Sequence, residues 1–192
     1  MRIFPTVLGG SITRQSDSCV VTNANLLRWC LSLNADPNAA SPFNKTVLHF
    51  AASYGNVECL ELLVEAGGNF IAPSASDDVV AHAADTHYAG NDRTHIINYL
   101  LDHGADINAY YMQNRNREMH WSSKELYGEQ TALHMAIGKK DKDLVQLLVQ
   151  RGADITKKTH HLYQQQPVTA LEYARLRGFD DIAKVMEDGR RS

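Results

Sequence analysis

Nine histidines and three cysteines are the residues from which this chain would have to build a metal site or a covalent reaction. Their spacing argues against both. His160 and His161 are adjacent, and neighbours on an extended segment point to opposite sides; no cysteine or carboxylate stands beside them at zinc-ligand spacing. His82, His87, His95 and His103 are distributed over a helix, a loop and a second helix, so they form no constellation in sequence. Cys30 and Cys59 lie inside the apolar stretches NLLRWCLSL and VECLELLV, where a cysteine reads as a small buried hydrophobe; Cys19 lies apart, and the three follow no metal or redox spacing. A cysteine–histidine dyad is left open by sequence. A glycine-rich phosphate loop, a nucleophile elbow and an HExxH pair are all missing. The expectation is a protein without catalytic activity, metal or cofactor.

Bulk properties narrow the class further. At 44% hydrophobic and 21% charged over 192 residues, the chain has apolar surface enough for a continuous core. A net charge of -3 gives no electrostatic reason to expect nucleic acid, whose binders usually carry a basic face. No apolar run approaches a membrane span, and the opening MRIFPTVLGGSITRQSDS lacks the sustained apolar region of a signal peptide. Odd cysteine usage fits a reducing, cytoplasmic setting.

Whatever function exists must therefore be carried by elements, and the elements repeat. TVLHFAA, starting at Thr46, returns as TALHMAI at Thr131. The register then holds: VECLELLV from Val57 matches KDLVQLLV from Lys142, and AGGN from Ala66 matches RGAD from Arg151. A third copy ends in NYLLDHGADINA from Asn98, with a degraded first half DVVAHAA from Asp78 and about five extra residues around Tyr88 to Asp92. A fourth, NLLRWCLSLNADPNA from Asn25, precedes them, and a fifth, from Thr169 to Met186, ends the series.

The repeated unit resembles the ankyrin repeat, a unit of about 33 residues with a TPLHxA signature on a turn and two helices. The resemblance runs over roughly residues 12 to 188 and is most specific in the second and fourth units. Val47, Ala132 and Ala170 replace the signature proline, and Ala81 replaces the signature histidine in the third. It implies an all-α solenoid of helix–turn–helix units with hairpin fingers, and a structural hydrogen bond between turns for His49 and His134. The expected layout is an extension over 1–11, one repeat domain over 12–188 (units near 12–40, 41–72, 73–109, 129–157 and 168–188) and a tail over 189–192. The physics agrees. Thr46, Thr131 and Thr169 stand where a hydroxyl caps a helix start. Ala51, Ala52, Ala136 and Ala174 let neighbouring repeats approach. Gly55 and Gly178 end first helices, and Gly67, Gly104 and Gly152 end second helices. Cys59, Leu60, Leu62 and Leu63, and then Leu144, Val145, Leu147 and Leu148, form the buried stripes. The fifth unit, with Glu172, Arg175, Arg177 and Lys184 outward, reads as a cap.

Where the units differ, partner contacts are expected, because insertions in repeat proteins map to loops on one face. The largest insertion spans 110–128 and expects an extended finger before the fourth unit. Its Tyr110, Tyr111, Met112, Arg115, Arg117, Met119, Trp121 and Tyr127 include the residue types that dominate interface hot spots. Two readings stand together: the finger packs back on the solenoid, or it presents a face. A second, polar insertion covers 157–167 as a finger tip or secondary contact. The first helices complete a concave groove with Phe50, Ser53, Tyr54, His82, Asp85, Thr86, Met135, Gly138 and Lys139 read as exposed, Tyr54 foremost. The leading function is a monomeric module that binds a partner protein through groove and finger. A free-standing microbial or viral host-directed adaptor or decoy, or a small cellular inhibitor, is the alternative; an enzyme or metal protein on a repeat scaffold is the third class.

Overall fold

The computed structural model describes residues 22–39, 45–70, 79–85, 93–111, 130–159 and 167–189. Packing divides the chain into two compact units, Met1–Ala105 and Asp106–Ser192. Cys19, Thr86, His87, Met112, Arg115, Arg117, Met119, Trp121, Tyr127 and the His160–His161 pair lie outside the described residues.

The first unit holds α1 (Ala24–Ser32), α2 (Val47–Tyr54), α3 (Val57–Glu65), α4 (Val79–Ala84) and α5 (Arg93–Asp102). First helix packs on first helix, α2 against α4, and second on second, α1 against α3; α2–α3 and α4–α5 close the two helical hairpins. The starts of α1, α2 and α3 are locally encoded. The Asn23 and Asn56 carboxamide oxygens accept the Leu26 and Cys59 N–H groups, each at 3.1 Å, and so satisfy orphan donors of the first turn. At α2 the arrangement runs through a histidine: the buried Thr46 N–H donates to His49 Nδ1 at 3.1 Å, and the Thr46 hydroxyl lies 2.9 Å from that same nitrogen. Since Nδ1 accepts the backbone proton, His49 carries its own proton on Nε2. This hydrogen bond ties His49 to the cap of its own helix. Gly55 ends α2 at φ 73°.

The second unit holds α6 (Ala132–Gly138), α7 (Lys142–Gln150), the antiparallel strands β1 (Lys158–Thr159) and β2 (Val168–Thr169), α8 (Ala170–Leu176) and α9 (Asp180–Gly189). Again α6 packs on α8 and α7 on α9. Thr169 and Glu172 exchange a capping box: the Thr169 N–H donates to the Glu172 carboxylate at 2.8 Å, and the Glu172 N–H donates back to the hydroxyl at 3.3 Å. Thr131 departs from the expected cap. Its hydroxyl makes no bond to the helix backbone and lies 2.8 Å from His134 Nδ1 instead.

Leu27, Leu48, Leu60, Leu63, Ile97 and Leu100 are sealed in the first unit, and Leu133, Ile137, Leu144, Leu148, Ile182 and Met186 in the second. Ala51, Ala52, Ala136 and Ala174 are buried at the repeat contacts, as their size predicts. Leu62 and Leu147 correct the stripe: both are half-buried, because the helix–helix contact takes the residues three and four apart and leaves the intervening leucine at its margin.

Candidate protein-binding surface

The insertions expected to carry contacts leave from paired backbone. Tyr111 and Gln130 form an antiparallel bridge, the Tyr111 N–H donating to the Gln130 carbonyl at 2.7 Å, so the two ends of the long insertion start side by side. The second insertion leaves from the β1–β2 pair, with Lys158 opposite Thr169 and Thr159 opposite Val168. A side-chain lock joins the two stems. The Tyr110 hydroxyl donates to the Lys158 carbonyl at 3.4 Å, and the Lys157 ammonium sits 4.5 Å from the Tyr110 ring centroid. That ammonium also donates to the Asn108 carbonyl at 2.7 Å. Three contacts therefore hold one finger base against the other, and an aromatic ring lies in the joint.

Asn108 reveals a device that the sequence reading passed over. Its backbone N–H is held by Asp106 at 2.8 Å, and its side-chain oxygen accepts the Asp154 N–H at 2.7 Å, one repeat further on. The same geometry recurs in the first unit: Asp36 holds the Asn38 N–H at 2.8 Å, the Asn38 oxygen accepts the Asn69 N–H at 2.8 Å, and its amide donates to the Gly67 carbonyl at 2.9 Å. Asp154 repeats the turn with Thr156. The signal was in the chain as DPN, DIN and DIT after α1, α5 and α7. These short polar side chains tie the finger bases of successive repeats and set their spacing. The Thr156 bonds, side chain before backbone, hold the Asp154 carboxyl below its usual range.

Of the first-helix residues, Tyr54 stands half-buried at the end of α2 and lines an open cleft of about 410 Å³ with Thr22, Gly55, Asn56 and Val57. Phe50, Ser53, His82, Asp85, Gly138 and Lys139 are half-buried as well. Met135 corrects the reading: it is 7% exposed, in a helix whose residues Ala132 to Ile137 are all buried. With α7 on one side and α8 on the other, α6 has no open face at that position. His82 packs edge-on to Phe50 at 6.4 Å and to His49 at 6.0 Å, an aromatic contact between consecutive first helices.

The nucleophile candidates are insulated. Cys30 and Cys59 are buried free thiols; burial pushes both upward, and Cys59 reaches about 11 with help from Glu58 and against Arg28. Thiolate chemistry has no foothold there. Among the described residues, no group of three His, Cys, Asp or Glu comes together as metal ligands, and no helix is long and apolar enough to cross a membrane.

The comparisons with known proteins agree with this geometry. A family model described as "Ankyrin repeats (3 copies)" matches residues 18–111 and 87–159. The chain is 31% identical over 147 residues to the B-cell lymphoma 3 protein homolog of Mus musculus, covering 77% of this chain and 28% of that protein. It is 27% identical over 194 aligned positions to the putative ankyrin repeat protein YahD of Escherichia coli (strain K12), covering 83% of this chain and 87% of that one. The chain thus spans little more than a quarter of the mouse relative's length. The matched residues take in every described helix from α1 to α7, and the chain belongs to the ankyrin-repeat family.

Proposed function

We propose that this protein binds a partner protein through its finger edge, centred on the insertion at 110–128, with Tyr54 and the other half-buried first-helix positions contributing. Ankyrin repeats generally mediate protein–protein interaction, and an all-helical repeat scaffold suits that work because it holds a set of loops rigidly in register. The observation that carries the reading is the locked finger base, Tyr110 against Lys157 and Lys158, together with the Tyr111–Gln130 bridge. Such a base lowers the ordering cost that a contact loop otherwise meets on binding. The insertion beyond it carries Met112, Arg115, Arg117, Met119, Trp121 and Tyr127, a composition suited to hot spots. Tyr110 acts at the joint as a positioning residue and, with Tyr111, as the near end of the contact surface. The module works without catalysis, as a monomer, in a reducing intracellular compartment, within a single repeat domain over 12–188. Measured against a captured partner, Trp121→Ala and Arg117→Ala each weaken binding by about tenfold or more while the melting transition stays put. Unchanged affinity in both variants removes the insertion from the contact.

A further inference from the structure

In the second unit the finger bases mark one end of the helical pairs, and the turns between paired helices mark the other. In the second unit α8 starts at the finger strand β2 and ends at Arg177, so the turn edge lies roughly a helix length, about 10 Å, from the finger base. Two cations meet there over one ring. Lys140 Nζ stands 4.6 Å from the centroid of Phe179, and the Arg177 guanidinium carbon 5.4 Å from it. Arg177 also lies 5.8 Å from the Tyr173 ring centre and donates to the Tyr173 hydroxyl at 3.4 Å. The charges are thus no more than about 10 Å apart, close to the screening length of about 8–10 Å at ordinary ionic strength, so each feels the other.

The neighbouring charges have their own counterparts. Lys142 faces Asp181 at 4.0 Å, Arg175 pairs with Glu187, and the Asp141 carboxylate accepts the Leu144 N–H at 3.1 Å. Asp180 sits in the first turn of α9, where a helix start favours an anion. Among the described residues, no carboxylate comes within ion-pair distance of Lys140 or Arg177. Both side chains are exposed, and Leu176 beside Arg177 is 59% exposed, the most open large hydrophobic among them. Lys140 also occupies a left-handed backbone position at φ 57°, where two other repeats place Gly55 and Gly178. Any side chain is disfavoured there, and the one present is a cation laid on an aromatic face.

We infer that Lys140, Arg177 and Leu176 form a second docking site, which takes an acidic linear segment of a protein partner with an apolar side chain beside its carboxylates. The rings hold both cations in place, so a carboxylate meets two oriented donors, while Leu176 accepts the apolar neighbour. Charge complementarity selects the acidic segment. The site is independent of the fingers, and its failure leaves the finger reading untouched.

The test is a titration of the isotope-labelled full chain with a short synthetic peptide of alternating leucine and glutamate, followed by NMR. The inference expects shifts centred on the amides of Lys140, Leu176, Arg177 and Phe179, and affinity that falls with salt. The double variant Lys140→Gln/Arg177→Gln lowers affinity roughly tenfold, the yield of two exposed charge pairs, whereas Lys184→Gln leaves it unchanged. Should the double variant fold poorly, Arg177→Lys and Lys140→Arg, which keep the charges, retain most of the binding. A chain with its 112–129 insertion shortened binds the peptide as well as the intact protein. Equal binding by the double variant, or shifts scattered over the surface, overturns the inference. So does inorganic phosphate reproducing the same shifts and displacing the peptide, because the site is then a plain anion site.

Discussion

Gly68 offers a test of how tightly the second repeat is packed against its own helix end. A methyl group added there would stand 2.6 Å from the Leu63 carbonyl oxygen, 3.0 Å from its carbon and 3.2 Å from a Leu48 methyl. The first two are backbone, so relief requires the turn itself to move. The same position in other repeats holds Ala35, Ala105 and Ala153, whose N–H groups reach the preceding helix at 3.2, 3.0 and 2.9 Å, against 2.7 Å for Gly68. The second repeat has closed down on a glycine, and Gly68→Ala must reopen it by a few tenths of an ångström while holding the Leu48 contact. Overpacking of this kind costs about 1–3 kcal/mol, and the stiffer unfolded chain returns about 0.4–1 kcal/mol, leaving a net loss of about 1 kcal/mol. Gly67→Ala is the partner variant: open space surrounds its added methyl, but its φ of 89° alone costs about 1–2 kcal/mol. Urea unfolding with an unchanged slope measures both. A Gly68→Ala protein more stable than the parent would refute the reasoning, since the turn would then relax freely to the alanine geometry of its sister repeats.

Three further outcomes follow from the same structure. Asn38→Ala removes bonds to the Asn69 N–H and the Gly67 carbonyl; being solvent-facing they are worth about 1 kcal/mol together, and amide exchange at Asn69 speeds up while that at Leu63 follows only global stability. Cys30 and Cys59 resist iodoacetamide at pH 8 in the native protein and react in denaturant, because burial raises both thiols, Cys59 to about 11; rapid native labelling of Cys59 contradicts that. Glu172 is held below the usual carboxylate range by the Thr169 N–H and then its hydroxyl, so its contribution to stability is full above the unfolded-state value and fades as pH falls through the lower folded one. Thr169→Val weakens this, and NMR titration reads the Glu172 carboxyl moving upward; an unmoved carboxyl contradicts the assignment.

Much of the fold was legible because ankyrin units are encoded locally. The capping residues, the turn glycines and the small alanines each act within a few positions of themselves, and repetition lets five imperfect copies correct one another. Glu172, Arg175, Arg177 and Lys184, read from sequence as outward, are exposed. What went unread depends on neighbours. Met135 lies on a short helix flanked on both sides, which no single-helix pattern reveals. Leu62 and Leu147 look the same in sequence as the leucines they follow, and only the helix crossing separates them. The Tyr110–Lys157 joint links residues from two insertions whose proximity comes from stacking, and the Lys140–Phe179–Arg177 cluster arises the same way.

The central claim is that the finger edge binds a protein. Tyr111 and Gln130 are already paired, so residues 112–129 can be replaced by an Asn-Gly turn that closes the same hairpin. The intact and shortened chains, matched for melting behaviour, are used to capture partners from cell extract, and the affinity of any captured protein for each is then measured with purified components. The account predicts a saturable partner whose binding falls at least tenfold in the shortened chain. A partner bound equally by both would contradict it and move the contact to the helices around Tyr54.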